Sequence, residues 1–273
     1  MHRLLWRLGG RKKLTIGAVM LALLVFGALA AGLSPYDPNE NSLTETLQPP
    51  SWSHPFGTDD LGRDIFTRVL YAGRIDLTFG VLAVVAPFVI GTMIGLAAGF
   101  FGGWVDSTLM RLTDIVHSFP FLVLAIVLVA IIGPGIPALM FAIVLAAWTP
   151  YARIVRAETL VARGQAYVLA ARVLGYGPLR VLGRHILPNT LSAAVVYSLS
   201  DVVLTILLIA SMSFLGLGVQ PPTAEWGALV SEGRAFLLQA WWIATLPGIA
   251  VIYASFAFGL IGDGLAELLG RIE

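Results

Sequence analysis

The sequence predicts an all-α integral membrane protein with six transmembrane helices, on the strength of its composition and the spacing of its charges. Of its 273 residues, 58% are hydrophobic and 12% charged, which leaves too little polar surface to cover a soluble globule of this length. The charges are also bunched, and the stretches between them are long enough for spans of about 20 residues each. An open sheet would leave unpaired edge amides in lipid, so these crossings are read as helices.

Residues 1–13 form a cytoplasmic N-terminal segment carrying Arg3, Arg7, Arg11, Lys12 and Lys13, and residues 14–33 form the first transmembrane anchor. The apolar stretch is too long for a secretory leader, and no small-residue cleavage site follows before Pro35, so the anchor is expected to be retained. Residues 34–76 face outward, with seven acidic and three basic residues. There, Asp64 is a candidate cap, Ile65, Phe66, Val69 and Leu70 recur at helical spacing, and Asp64 and Arg68 stand four apart. The pattern predicts an amphipathic helix at the membrane surface that leads into the second span. Direct contact with a solute is the alternative reading of this segment.

The core transmembrane domain covers 77–265. Its first span carries Gly91, Gly95, Gly99 and Gly103 at four-residue intervals, a strip that lets another helix approach to backbone distance and is read as helix packing. Between Asp114 and Arg153 lie 38 uncharged residues, interrupted by Gly133-Pro134-Gly135 and Pro137. They are read as one span outward and one back. A fifth span covers about 191–215 and includes Asp201; the sixth lies between Arg234 and Asp263, and residues 266–273 form a cytoplasmic tail. Basic residues concentrate before the first span and in the loop 153–190, so the positive-inside bias puts both termini and that loop in the cytoplasm.

Several function classes are excluded at this stage. A formal net charge of +1 is explained by topology and gives no case for nucleic acid. The absence of cysteine removes disulfides, thiolate metal sites and cysteine nucleophiles. His2, His54, His117 and His185 have no ligand spacing, so no bound metal is expected. No nucleophile, base and orienting group occur together, so no catalytic residue is assigned. Trp226, Trp241 and Trp242 flank the outer end of the sixth span and are read as headgroup anchors.

The loop 153–190 has its own mechanics. Residues 164–174 follow a helical pattern, Gly175 suits a left-handed C-terminal cap, and Pro178 suits a first helical turn. A second short helix runs to about Leu187, and Pro188 restarts the chain into the fifth span. In this helical hairpin Ala170 and Ala171 offer a flat face to a partner. A solvated loop without a role is the bland alternative, and the short tether to lipid argues against DNA reading.

This loop resembles the cytoplasmic motif of ATP-binding cassette importer permeases, written Glu-Ala-Ala, three residues, Gly and a later Leu-Pro; Ala170, Ala171, Gly175, Leu187 and Pro188 match it. HPFGTDDLGRD over 54–64, SFLGLGVQPPTAEWG over 213–227 and GDGL over 262–265 are similar to the peptide and nickel branch of that family, in the same order. The chain departs from the pattern at Leu169, where the motif carries glutamate, and at Ile209, where many peptide permeases are acidic. The resemblance implies a type I importer permease fold in a bacterial inner membrane. It also implies four partners: a sister permease, two cytosolic ATPases and an extracytoplasmic solute-binding protein.

By that likeness, Ala170, Ala171, Arg172, Gly175, Gly177, Pro178, Arg180, Arg184, Leu187 and Pro188 couple to an ATPase, while Asp201, Ser211, Met212 and Ser213 are candidates to line the path. Asp201 is expected to face the path or bond between helices, since an ionisable group in lipid is costly. The chain has no phosphate loop of its own, so ATP and magnesium belong to the partner ATPases, and this chain binds no cofactor. Dipeptides or oligopeptides are the expected cargo, with nickel or a metal chelate as the alternative. An ion-gradient-driven carrier is a competing class, which paired halves and several midplane carboxylates would mark; a non-transporting scaffold is a third.

Overall fold

The computed structural model describes residues 2–270, the first seven of them by backbone alone. Its helices are α1 (His2–Ala30), α2 (Ile65–Phe101), α3 (Gly103–Ser118), α4 (Phe121–Ile132), α5 (Ile136–Ala162), α6 (Ala166–Val173), α7 (Pro178–Val181), α8 (Leu187–Phe214), α9 (Trp226–Gly233) and α10 (Trp242–Leu268). Among the described residues five helical segments are long and apolar enough to cross a membrane, and the bent pair α3–α4 reaches that length only when taken together, as a broken span or a re-entrant loop.

The N-terminal boundary drawn from charge is not a structural one, because α1 passes through residue 13 without interruption. The side chains of Arg3 and Arg7 lie outside the described residues, as does the end of the 266–273 tail. Helix α1 lies antiparallel on α10: a Cβ on Gly17 would stand 2.8 Å from the Ala257 carbonyl, and one on Gly264 would stand 2.7 Å from the Leu14 nitrogen. Lys13 pairs with Glu267 at one end of this contact. At the other end Arg74 donates to the carbonyls of Ala28 and Leu29 at 2.6 and 3.1 Å, capping acceptors that the end of α1 leaves open.

The glycine strip does two jobs rather than one. A Cβ on Gly95 would lie 2.5 Å from the Ala152 carbonyl and one on Gly99 would lie 2.7 Å from Thr159, so α2 and α5 meet at backbone distance. Gly103 does not share in this: it has φ +54 and open space around it, and it opens α3 after the turn at Gly102. Helix α3 is held on α5 by Arg156, which donates twice to Asp106, and by Arg153, which reaches Asp114 at 2.8 Å.

The third span differs from its prediction. The chain bends by 78° between α3 and α4, since Pro120 cannot donate and Phe119 before it is extended, at φ −77 and ψ 127. Helix α4 has 12 residues and is about 18 Å long, well short of a hydrocarbon core of about 30 Å.

The helix expected after Asp64 is present and continuous with the second span: residues 65 onward are the first turns of α2. This helix has 37 residues and is about 55 Å long, so it crosses lipid and still reaches well beyond it. Asp64 caps it by accepting from the Thr67 N–H at 2.7 Å. The anticipated Asp64–Arg68 pair does not form. Arg68 turns instead to Asp59 at 2.6 Å and to Glu232 at 2.9 Å, and Arg63 joins the same two carboxylates. Residues 35–64 are thereby folded into a cap whose charges tie it to α9. Trp226 and Trp242 are core residues rather than headgroup anchors: their indoles donate to the carbonyls of Val69 and Thr58 at 3.0 and 3.1 Å, and both are buried. Of these three tryptophans, Trp241 is the exposed one.

Candidate functional site

The first part of α1, the end of α10 and the 163–186 hairpin lie on the face opposite the cap: Lys13 pairs with Glu267 at the end of α1 away from Arg74, and Arg163 at the end of α5 donates to the Gly99 carbonyl near the end of α2 at 2.9 Å. Helix α6 ends in two linked bonds, from the Gly175 N–H to the Arg172 carbonyl at 2.9 Å and from the Tyr176 N–H to the Ala171 carbonyl at 3.1 Å. Gly175 closes this motif at φ +79, a conformation that favours glycine. Gly177 is the N-cap of α7, and Pro178 stands in its first turn.

Pro188 does not restart the chain. Between α7 and α8, Leu182–Ile186 form a π-helical turn in which the Leu187 N–H bonds to the Leu182 carbonyl. The widened turn accommodates a proline that has no N–H and crowds the residue four before it. Residues 178–214 therefore read as one helical segment, continuous from the hairpin into α8.

Ala170 and Ala171 do not share a face. Ala171 is buried together with Val168, Val181 and Ile186, whereas Ala170 is exposed. The hairpin shows solvent a different set: Val173 is 89% exposed, Leu179 79%, Leu174 71% and Leu169 49%. Arg172 lies over the Phe100 ring at 5.2 Å, which steadies α6 against the end of α2. Arg180 lies over Tyr176 at 4.3 Å, and the Tyr176 and His185 rings stack at 5.9 Å. Arg184 and Pro188 are exposed and Leu187 is half-buried. The result is a stiff wedge with an apolar tip and flanking cations, suited to an apolar groove with an acidic rim. Leu169, where the motif carries glutamate, adds an apolar side chain to this surface rather than a carboxylate.

Inside the bundle, Asp201 on α8 accepts the Tyr151 hydroxyl of α5 at 2.8 Å, and the Tyr197 ring meets Tyr151 edge-on at 4.8 Å. Asp201 is buried, and of the two roles expected for it the bond between helices is the one formed here. Met212 and Ser213 do not line an open path. Met212 is fully buried beside Val129, Leu139 and Ile143, and the Ser213 hydroxyl accepts the Val219 N–H at 3.1 Å. Ser211 is exposed in an apolar furrow between α8 and α10, about 400 Å³ in volume, with Leu207, Phe214 and Val251. The furrow continues past Leu207 to Ser255, Phe256 and Asp263.

Tyr151 and Glu232 were not singled out from sequence. Tyr151 sits amid the apolar residues of α5, and Glu232 meets Arg68 across 164 residues. Among the described residues no His, Asp and Glu group is placed to hold a metal ion.

Residues 91–271 match the model of the family described as binding-protein-dependent transport system inner membrane component. A putative peptide transport system permease protein of Brucella suis biovar 1 is 42% identical over 96% of this chain and 89% of its own length. The dipeptide transport system permease protein DppC of Bacillus subtilis is 38% identical over 97% of this chain and 83% of its own. A glutathione transport system permease protein of Escherichia coli O6:K15:H31 is 41% identical over 97% and 88%. Among solved structures, a chain from inward-facing conformations of the MetNI methionine ABC transporter aligns with a TM-score of 0.58 at 18% identity, over 72% of this chain and 93% of that one.

Proposed function

Since this chain belongs to the family of binding-protein-dependent transport system inner membrane components, we propose that it is a permease subunit through which short peptides enter the cell. The relatives described above carry names that specify peptide, dipeptide and glutathione transport, and a peptide backbone is what those cargoes have in common. Nickel has no comparable support. Family membership also sets aside the gradient-driven carrier and the scaffold.

The observation that carries the mechanism is the apolar tip of Val173, Leu174 and Leu179, held out by a hairpin whose inner side is packed and capped. In our reading this tip seats in a groove on a cytosolic ATPase, which puts the termini face in the cytoplasm. ATP and magnesium bind the ATPases, and their closure pushes the hairpin. The push reaches the bundle through the unbroken segment from α7 to α8 and biases it between inward-open and outward-open states. The furrow along α8 and α10 then faces a sister permease across the translocation path, with Ser211 at its wall. The cap receives a solute-binding protein.

The test is to replace Gly177 and Leu179 by proline in the full assembly in vesicles and to measure uptake and ATP hydrolysis together. Hydrolysis that continues while peptide uptake is lost supports the coupling role. Undiminished uptake overturns it.

A further inference from the structure

Asp76 and Glu225 are both fully buried, and they meet at the first turn of α9. Asp76, on α2, accepts the backbone N–H of Trp226 at 3.0 Å through Oδ2. Glu225, the residue before α9, accepts those of Gly227 and Ala228 at 3.0 and 2.8 Å through its two oxygens. The two side chains between them take up the opening donors of this helix, the N–H groups of the consecutive residues Trp226, Gly227 and Ala228, which sets the two carboxyl groups side by side. Oδ1 of Asp76 is sealed from solvent and receives no N–H or O–H. Two ionised carboxylates are both acceptors, so their contact closes only through a proton or a cation.

Among the described residues no ion pair or hydrogen bond joins a cation to Asp76 or Glu225: Lys13 of α1 pairs with Glu267, Arg153 and Arg156 of α5 with Asp114 and Asp106, Arg163 donates to the Gly99 carbonyl, and Arg234, just after α9, lies over the Phe214 ring. On α2, Arg68 is committed to Asp59 and Glu232, and Arg74 to the end of α1, with Tyr71 beside it. On α9, Glu232 is held by Arg63 and Arg68. Helix α8 brings Tyr197 and Asp201, the latter bonded to Tyr151, and α10 brings Tyr253, Asp263 and Glu267. None of the groups on α8 and α10 carries positive charge.

We infer that Asp76 carries a proton on Oδ1 and donates it to the Glu225 carboxylate, a proton-sensitive pin that fastens α9 to α2. The bond is O–H···O⁻, and the pair's single negative charge faces the positive end of the α9 dipole. The pin completes the seating of α9, which is already wedged: Gly227 abuts the Ala210 backbone of α8, a Cβ on Gly233 would lie 2.5 Å from the Ala244 nitrogen, and Glu232 holds the cap. Loss of the proton leaves two buried negative charges in contact. The sign follows: the pin is present at low pH and is lost as pH rises. For one proton, the folded-to-unfolded ratio falls about tenfold per pH unit from the ordinary carboxylate range, where the unfolded chain gives up its proton, to the pH at which the pin releases it, and is level above that. Nothing in the proposal of peptide import requires this pin.

The test uses the full chain in its assembly. Infrared spectra are expected to show the C=O stretch of a neutral carboxylic acid that disappears in both Asp76→Asn and Glu225→Gln. Asp76→Asn offers Glu225 a permanent N–H donor, so its thermal stability should lose the fall with rising pH shown by the wild type while the protein still folds. Should the Asn variant fail to fold, Glu225→Gln supplies the mirror-image donor, and the wild-type spectrum stands by itself. A spectrum without a neutral-acid band, a band that survives both substitutions, or equal pH slopes in wild type and amide variants would overturn the proposal.

Discussion

Replacing Val173, Leu174 and Leu179 together by serine strips the hairpin tip while leaving its inner side intact. In the isolated chain these side chains are 89%, 71% and 79% exposed, so they add little to the stability of the permease, and most of their apolar surface is free to be buried by a partner. Full burial of one such side chain contributes about 2 kcal/mol. Scaled by the exposed fractions, the three amount to about 5 kcal/mol as an upper bound, and interfaces return only part of such a sum. A loss of about 2–4 kcal/mol is expected, which weakens ATPase binding by roughly 30- to 1,000-fold. The assay is titration of the ATPase onto the permease in nanodiscs, with thermal unfolding of the permease as the control. Val168→Ala is the counterpart, since Val168 is fully buried and should cost folding stability first. Serine variants that bind the ATPase with wild-type affinity would refute the reasoning.

Gly95→Val places carbon against the Ala152 carbonyl and is expected to abolish accumulation of folded permease in the membrane. Gly177→Ala has nothing within 4 Å and should stay within about 0.5 kcal/mol of wild type by thermal shift. Glu232→Ala strands part of the charge of buried Arg68 and should destabilise the cap by about 3 kcal/mol, detectable as faster hydrogen exchange in 35–64. Tyr151→Phe leaves Asp201 without its phenolic donor. It should cost about 1–3 kcal/mol in unfolding free energy, whereas Tyr197→Phe, whose ring rather than hydroxyl meets Tyr151, should cost less.

The elements legible in the sequence are those with local causes. Charge spacing marked where the chain crosses lipid, and Gly175 with Pro178 marked the hairpin turn because both act through their own backbone. Phe119-Pro120 carried an equally local signal for the bend between α3 and α4, but it was masked by the uncharged run that contains it. What a one-dimensional pattern does not carry is which neighbour a side chain meets. Helical spacing put Ala170 and Ala171 next to each other, yet a step of one residue turns about 100° around a helix, and only the packing of α6 on α7 and the π-helical turn decides that Ala171 faces inward. Arg68 has an acidic residue four positions away and still bonds to Glu232, 164 residues along. Trp226 and Trp242 sit where interfacial tryptophans are common, but their indoles reach Val69 and Thr58, contacts that exist only once the cap is folded.

Because the chain has no cysteine, a single Leu174→Cys gives one thiol at the hairpin tip, and its cross-linking to the ATPase in membranes is the most direct measurement of the coupling claim. The account predicts a specific cross-link to the ATPase, made from the cytoplasmic side and changed in yield by ATP. Labelling of that cysteine by an impermeant reagent from outside the cell, or the absence of any ATPase adduct in an assembly active in uptake, would contradict it.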